Sequence, residues 1–384
     1  MDSQSKLEIL GETSQFDRCG CPSAFFQGRE RASHFPFIYP AIGEGGRFVN
    51  LFKVLQTNVC EGNCYYCSNR KDRDFRRITF HPQELAKLFM EYYKRNIVDG
   101  LFLSSGLSKG KSSDQTQGEM LKTLEILRRR YQYRGYIHTK ILPGVSKTLI
   151  EEVSRFSDRI SINLEAPAQE YLSILSPTKD LHGELLPGLR EISRINKTYS
   201  LRAGITTQLV VGAAGESDRE IIHLVDKLYK DYGLWRVYYS GFTPIKDTPL
   251  EDHPPCSHWR EVRLYQTDFL VRKYHFDPSE IPFDEKGNLL EGIDPKLAWA
   301  WRNPSRFPIE VNKADFWELI RIPGIGRISA KKIINIRRQG RIGEIEQLKK
   351  LGIRIAEARN FITLNGKYLP YRENDLQRDA GRRE

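Results

Sequence analysis

Three cysteines within eight consecutive residues, Cys60, Cys64 and Cys67 of TNVCEGNCYYCSNR, form the grouping in this sequence most suited to chemistry. Their spacing is C-x3-C-x2-C, and no second ligand pair lies nearby. A structural zinc site normally closes four positions with two separated pairs. Three thiolates on one short loop suit instead three corners of an iron-sulfur cube, leaving the fourth iron open to another molecule. Six Cys in 384 residues is far below the density of a disulfide scaffold, so the thiols are read as reduced. Cys19, Cys21 and Cys256 are read as isolated structural thiols rather than ligands of a second cluster.

The elements around this loop follow from the apolar pattern. Strands are predicted at Val49 to Thr57, Gly100 to Ser104, Gly135 to Leu142, Arg159 to Leu164, Thr206 to Val211 and Arg236 to Ser240. Helical periodicity fills the intervals at His81 to Arg95, Gln117 to Tyr131, Ser146 to Phe156, Leu185 to Asn196 and Ser217 to Tyr232. Strands alternating with helices imply a parallel sheet, doubly wound or curled into a barrel, with ligands gathered at the C-terminal strand ends. The cysteine loop directly follows the first predicted strand. Tyr136, His138 and Lys140 alternate along the third and share a face, as substrate contacts or as satisfied core residues.

The chain carries 60 Lys+Arg against 49 Asp+Glu, a net charge of +11, with 39% hydrophobic residues. That apolar content can fill a sizeable core and excludes a wholly disordered chain. The opening residues MDSQSKLEILGETSQ lack the basic stub and apolar run of a secretory leader. No window reaches the roughly 18 to 20 uncharged apolar residues that cross a bilayer, so a cytoplasmic protein is expected. From Val311 onward 17 Lys+Arg face 9 Asp+Glu, so +8 of the net charge lies there. Such an end is built to meet a polyanion, or is simply well solvated.

Within that basic region, ELIRIPGIGRISAKKIINIR reads as two helices joined by a tight hairpin. Gly324 and Gly326 let backbone N–H groups face outward at a helix N-terminus, where a phosphate is favoured. Arg327, Lys331 and Lys332 add charge beside them, and Ile325 is expected to plug into the helix pair beneath. A second copy, EQLKKLGIRIAEARNFITLNG, keeps Leu351, Gly352, Ile353 and Ala356 but loses the Pro and the second Gly. The segment resembles the helix-hairpin-helix motif, which implies DNA binding largely indifferent to sequence; a protein-protein module is the alternative.

The cysteine segment, C-x3-C-x-aromatic-C, resembles the signature of the radical SAM superfamily. The resemblance implies a [4Fe-4S] cluster on Cys60, Cys64 and Cys67, whose open iron binds S-adenosylmethionine. One electron then cleaves it to a 5′-deoxyadenosyl radical that abstracts hydrogen from a substrate. Tyr66 is implied near the adenine. Ser104, Ser105 and Gly106 of LFLSSGLS take the place of the family's Gly-Gly-Glu stretch at the methionyl amine, without its Glu. Glu165 of SINLEAP is implied at the ribose hydroxyls or the amine. Gly212 and Gly215, with Glu216, match a glycine motif after the fifth strand, although a strand-to-helix turn calls for the same glycines.

The resemblance thus implies an α/β fold, a partial (β/α)6 radical SAM barrel followed by a small all-α helix-hairpin-helix domain. The expected organisation is an extension over 1–48, the barrel over 49–245, a connecting segment over 246–308, the helix-hairpin-helix domain over 309–368 and a polar tail over 369–384. Taken whole, the chain resembles the radical SAM proteins assigned to DNA modification or repair. DNA is therefore the expected partner and a small reductant such as flavodoxin or ferredoxin the expected electron source. RNA, tRNA included, as substrate for the same chemistry, and a non-catalytic iron-sulfur DNA-binding protein, are the alternatives.

Overall fold

A computed structural model describes residues 1–14, 35–42 and 48–369. Cys19, Cys21, the tail beyond 369 and most of the N-terminal extension lie outside the described residues. The chain divides into two compact units, one of residues 1–216 and 227–261, the other of 217–226 and 262–384.

The first unit is a curled half-barrel. Its elements run α1 (Ser3–Glu12), β1 (Ile38–Ile42), β2 (Phe48–Leu55), α2 (Pro82–Lys94), β3 (Gly100–Ser104), α3 (Ser113–Glu125), β4 (Tyr136–Lys140) and α4 (Lys147–Phe156). They continue with β5 (Arg159–Ser161), α5 (Gln169–Leu175), α6 (Leu186–Tyr199), β6 (Ile205–Val211) and β7 (Arg236–Gly241), while α7 (Asp218–Tyr232) and α8 (His258–Tyr274) are each divided between the two units, at 226 and 261. The sheet order is β1 to β7 in sequence order. β2 to β7 pair in parallel, each after a crossover, while β1 pairs antiparallel with β2.

Local chemistry explains the element ends. Pro82 opens α2 at a position where its missing N–H is no loss, and Glu84 complements the dipole of the first turn. Ser112 and Gln115 form a capping box that starts α3 earlier than its apolar period suggests. The apolar stripe of α2 seats Phe89 and Tyr92 against Phe52 of β2, with ring centres 5.7 and 5.6 Å apart. Such edge-on or tilted aromatic pairs add to the burial of apolar area. β1 was not expected because IYPAI contains Pro40; an edge strand tolerates the missing donor.

The second unit contains α9 (Pro295–Arg302), β8 (Ile309–Glu310), α10 (Phe316–Arg321), α11 (Arg327–Arg337), α12 (Ile345–Lys350), α13 (Ile355–Ala358), β9 (Ile362–Leu364) and β10 (Lys367–Tyr368). α10 to α13 are the doubled hairpin. To these helices the structure adds a small sheet in the order β10-β9-β8, which the all-α expectation for 309–368 did not anticipate. Strands of two or three residues are too short to show a period.

Candidate functional site

The cysteine loop leaves the C-terminal end of β2 and is sewn to the neighbouring segment after β3. Gly106 donates to Thr57 O at 2.8 Å, Glu61 donates to Leu107 O at 2.8 Å, and Leu107 N–H points at Cys60 Sγ at 3.4 Å. The Asn69 amide approaches Cys67 Sγ at 3.4 Å, and Cys64 Sγ lies 3.2 Å from Ser176 Oγ. A Cβ at Gly106 would stand 2.5 Å from Val59 O and 3.1 Å from Cys60 Cβ, so glycine alone fits there. Arg77 closes the loop from outside. Its guanidinium donates to the carbonyls of Asn58, Asn69, Arg70, Lys71 and Arg73 at 2.5 to 3.3 Å.

The three thiols, each free of disulfide, line a cavity of about 650 Å³ at the C-terminal strand ends. Tyr66, Ser104, Ser105, Gly106, Lys140, Asn163, Glu165, Lys179 and Gln208 line it as well. Glu165 adopts φ +67°, unusual for a non-glycine residue, and bridges to Leu209 of β6. Its backbone is fixed by Glu165 N–H to Gln208 O at 3.0 Å and Val210 N–H to Glu165 O at 2.8 Å. The Lys179 ammonium donates to Glu165 Oε1 at 2.8 Å and to the Tyr66 hydroxyl at 3.1 Å. Glu165 Oε2 is buried with no hydrogen-bond partner among the described residues.

Burial, and then the Glu165 carboxylate, push the Tyr66 hydroxyl well above its usual range, so it stays protonated. Burial alone would lower Lys179, but Glu165 and then the Cys64 thiolate outweigh it and hold the ammonium charged. Burial and the neighbouring Cys64 push the Cys67 thiol up to about 12. Crowded and buried in this way, Cys67 becomes a thiolate only with a cation beside it.

In the second unit the hairpin Pro323 to Gly326 joins α10 to α11. Gly324 has φ +77°, and a Cβ there would meet Arg354 O at 2.5 Å. Arg354 N–H donates to Gly324 O at 3.1 Å, clamping this hairpin to the second copy. Ile325 is buried in the helix pair. Gly326 caps α11 with no side-chain bond of its own, the Tyr274 hydroxyl meets the Arg327 backbone at the opening of that helix, and Lys331 and Lys332 stand exposed one turn on. From behind, buried Lys296 on α9 donates to Ile325 O at 2.6 Å.

Residues 54–228 match the radical SAM superfamily, and residues 306–353 match the helix-hairpin-helix motif. Residues 54–228 are a radical SAM domain. Among relatives, an uncharacterized protein of Methanocaldococcus jannaschii is 24% identical over 226 residues, 56% of this chain and 55% of that protein. The chain thus spans little more than half that relative's length. A 7,8-didemethyl-8-hydroxy-5-deazariboflavin synthase of Methanosarcina barkeri is 28% identical over 261 residues, 64% of this chain and 74% of the synthase. The FeFe-hydrogenase maturase HydG of Carboxydothermus hydrogenoformans overlays with a TM-score of 0.46 at 15% identity, covering 56% of this chain and 50% of the maturase.

Members of the superfamily use a [4Fe-4S] cluster and S-adenosylmethionine, and the donors of this radical SAM domain fit both. Among the described residues no three His, Cys, Asp or Glu side chains converge on one point as the ligands of a single ion would. A cube takes its thiolates at separate corners. The buried, unsatisfied Glu165 Oε2 is an acceptor that a ligand in the cavity would complete.

The radical SAM domain brings most expected residues together, but not all. Cys60, Cys64, Cys67, Tyr66, Ser104, Ser105, Gly106 and Glu165 share the cavity wall; Gly212 and Gly215 do not line it. Those glycines adopt φ +89° and +83°, the turn conformation, and Gly212 packs on Cys256. Glu216 turns to the amides of Gly212 and Ala214. Of the three alternating residues on β4, Lys140 lines the cavity, whereas Tyr136 packs on Ala41, Leu51 and Phe102. His138 pairs with Ser161 Oγ at 2.8 Å, and burial, then Arg159, hold it well below its usual range and neutral. Lys179, Lys53 and Arg77 were not anticipated. Lys53 leaves a trace in the sequence, a lone charge inside the run LFKVL, whereas Lys179 and Arg77 lie in loops where no spacing marks them.

Proposed function

We propose that the protein is a radical SAM enzyme acting on a nucleic acid, DNA first, in repair or modification. The observation that carries this reading is the presence, in one chain, of a three-thiol cavity and a glycine hairpin that opens a helix bearing Arg327, Lys331 and Lys332. Cys60, Cys64 and Cys67 hold the cluster. When bound, cluster and S-adenosylmethionine supply, on one-electron reduction, a 5′-deoxyadenosyl radical that removes a hydrogen atom from the substrate.

The chain's own groups do the holding. Ser104, Ser105 and Gly106 offer hydroxyl and backbone groups to the methionyl ammonium. Glu165 Oε2 offers an acceptor to the ribose hydroxyls or that same amine, while Lys179 fixes the carboxylate and the Tyr66 ring. Arg327, Lys331 and Lys332 grip phosphates beside the hairpin that Gly324, Ile325 and Gly326 shape, which positions the protein without reading bases. The target nucleotide reaches a cavity of this depth only when extruded or already unpaired. A small reductant, flavodoxin or ferredoxin in kind, delivers the electron.

Anaerobic incubation with reductant and S-adenosylmethionine tests the reading. It predicts 5′-deoxyadenosine formation stimulated by DNA; stimulation by RNA alone moves the substrate to RNA, and no cleavage with DNA binding intact leaves a non-catalytic iron-sulfur protein. Cys64→Ala is expected to abolish cleavage and leave salt-sensitive DNA binding unchanged.

A further inference from the structure

The segment after α5 is laid along the cysteine loop. Tyr65 N–H donates to Leu175 O at 2.8 Å, Ser176 Oγ stands 3.2 Å from Cys64 Sγ, and the Lys179 ammonium donates to the Tyr66 hydroxyl at 3.1 Å. Residues 175–179 thus fix a cation beside the stretch from Cys64 to Cys67. The same ammonium meets Glu165 Oε1 at 2.8 Å, and the two side chains are 16% and 3% exposed.

Water and salt screen charges at such depth poorly, so each acts over a longer range than it would at the surface. The thiols feel this pair. Burial opposes the charge on Lys179, and Glu165, then Cys64 and Cys67, restore it. Burial and then Cys64 raise Cys67, and Lys179 is among the groups that draw it back. An iron-sulfur cluster gains one negative charge on reduction, and its potential follows the net charge around it. A fixed ammonium favours the added electron, whereas a fixed carboxylate opposes it.

We propose that Lys179 and Glu165 act as opposed charges on the cluster and set its reduction potential, the ammonium drawing it up and the carboxylate drawing it down. This role rests on the reading that Cys60, Cys64 and Cys67 hold the cluster, and goes beyond the support that Lys179 gives to Tyr66. Glu61, Glu184, Lys53 and Lys140 line the same cavity. They are unchanged in every variant below, so a difference between variants reports the pair.

The full chain, reconstituted anaerobically and titrated against redox dyes without S-adenosylmethionine, yields a midpoint potential by electron paramagnetic resonance. Lys179→Met is expected to shift the reduction equilibrium about tenfold toward the oxidised cluster, about 59 mV for a one-electron couple. Glu165→Gln should shift it toward the reduced cluster, and Lys179→Arg, which keeps the charge, should stay near wild type. A loosened or wetter loop would move both neutral variants the same way; only charge moves them apart. Lys179→Met strands a buried carboxylate. If it does not fold, the doubly neutral Lys179→Met/Glu165→Gln takes its place, with a midpoint expected below that of Glu165→Gln. Equal midpoints in the compared pair, or shifts of one sign in Lys179→Met and Glu165→Gln, overturn this role and leave the cluster on its cysteines. A wild-type chain that takes up no iron or sulfide removes the cluster reading itself, and this role with it.

Discussion

Gly106 leaves no space between the cysteine loop and the segment beside it. Gly106→Ala would press a methyl onto Val59 O and Cys60 Cβ, an overpacking worth about 1–3 kcal/mol. The expected result is a lower thermal midpoint together with less iron and sulfide per chain after anaerobic reconstitution. Glu165→Gln takes the charge from a buried pair and leaves the Lys179 ammonium in place. Losing one partner of such a pair costs about 3–5 kcal/mol, and calorimetry should show weaker S-adenosylmethionine binding as well. The cysteines and Gly106 were legible because type and position suffice to mark them. Lys179 was not, because what recruits it is a left-handed turn at Glu165, and backbone handedness at a glutamate has no signature in residue order.

Among elements, the loop that carries the thiols depends on one side chain. Arg77→Lys keeps the charge but loses the planar fork that reaches five carbonyls. A chain that still folds by circular dichroism but retains clearly less iron on gel filtration is the expected outcome. Iron content equal to wild type would show that the loop holds itself. The hairpin has a comparable support in Lys296, whose burial lowers it to about 7 from an ordinary value of 10.5. Because the unfolded chain keeps its proton up to pH 10.5 and the folded chain releases it near 7, stability rises with pH across that window. Below pH 7 both states are protonated and the buried charge weighs fully on the fold. Lys296→Met should therefore raise the thermal midpoint of the second unit's transition most at pH 6 and least at pH 9, while weakening DNA binding through loss of the bond to Ile325 O. The six parallel strands were readable to within a few residues at each end, since each is an apolar run between helices. β1 was hidden by Pro40, and β8 to β10 by their brevity.

For the molecule as a whole, charge sorts the work: the half-barrel holds the thiols, and the hairpin unit the cations at the opening of α11. Each phosphate neutralised on duplex DNA contributes about 0.9 to the slope of log affinity against log salt. Replacing Arg327, Lys331 or Lys332 singly by Met should therefore flatten that slope by about 0.9 and weaken binding alike on every sequence. An unchanged slope would take that side chain out of the contact. One property of the half-barrel reaches further. β1 and β7 lie at opposite ends of the sheet order and do not pair, yet Tyr39 of the one and Ser240 of the other both line the thiol cavity. Because no backbone ladder joins these two strands among the described residues, the cavity wall between them is held by side chains, which can shift for a bulky ligand without any strand unpairing.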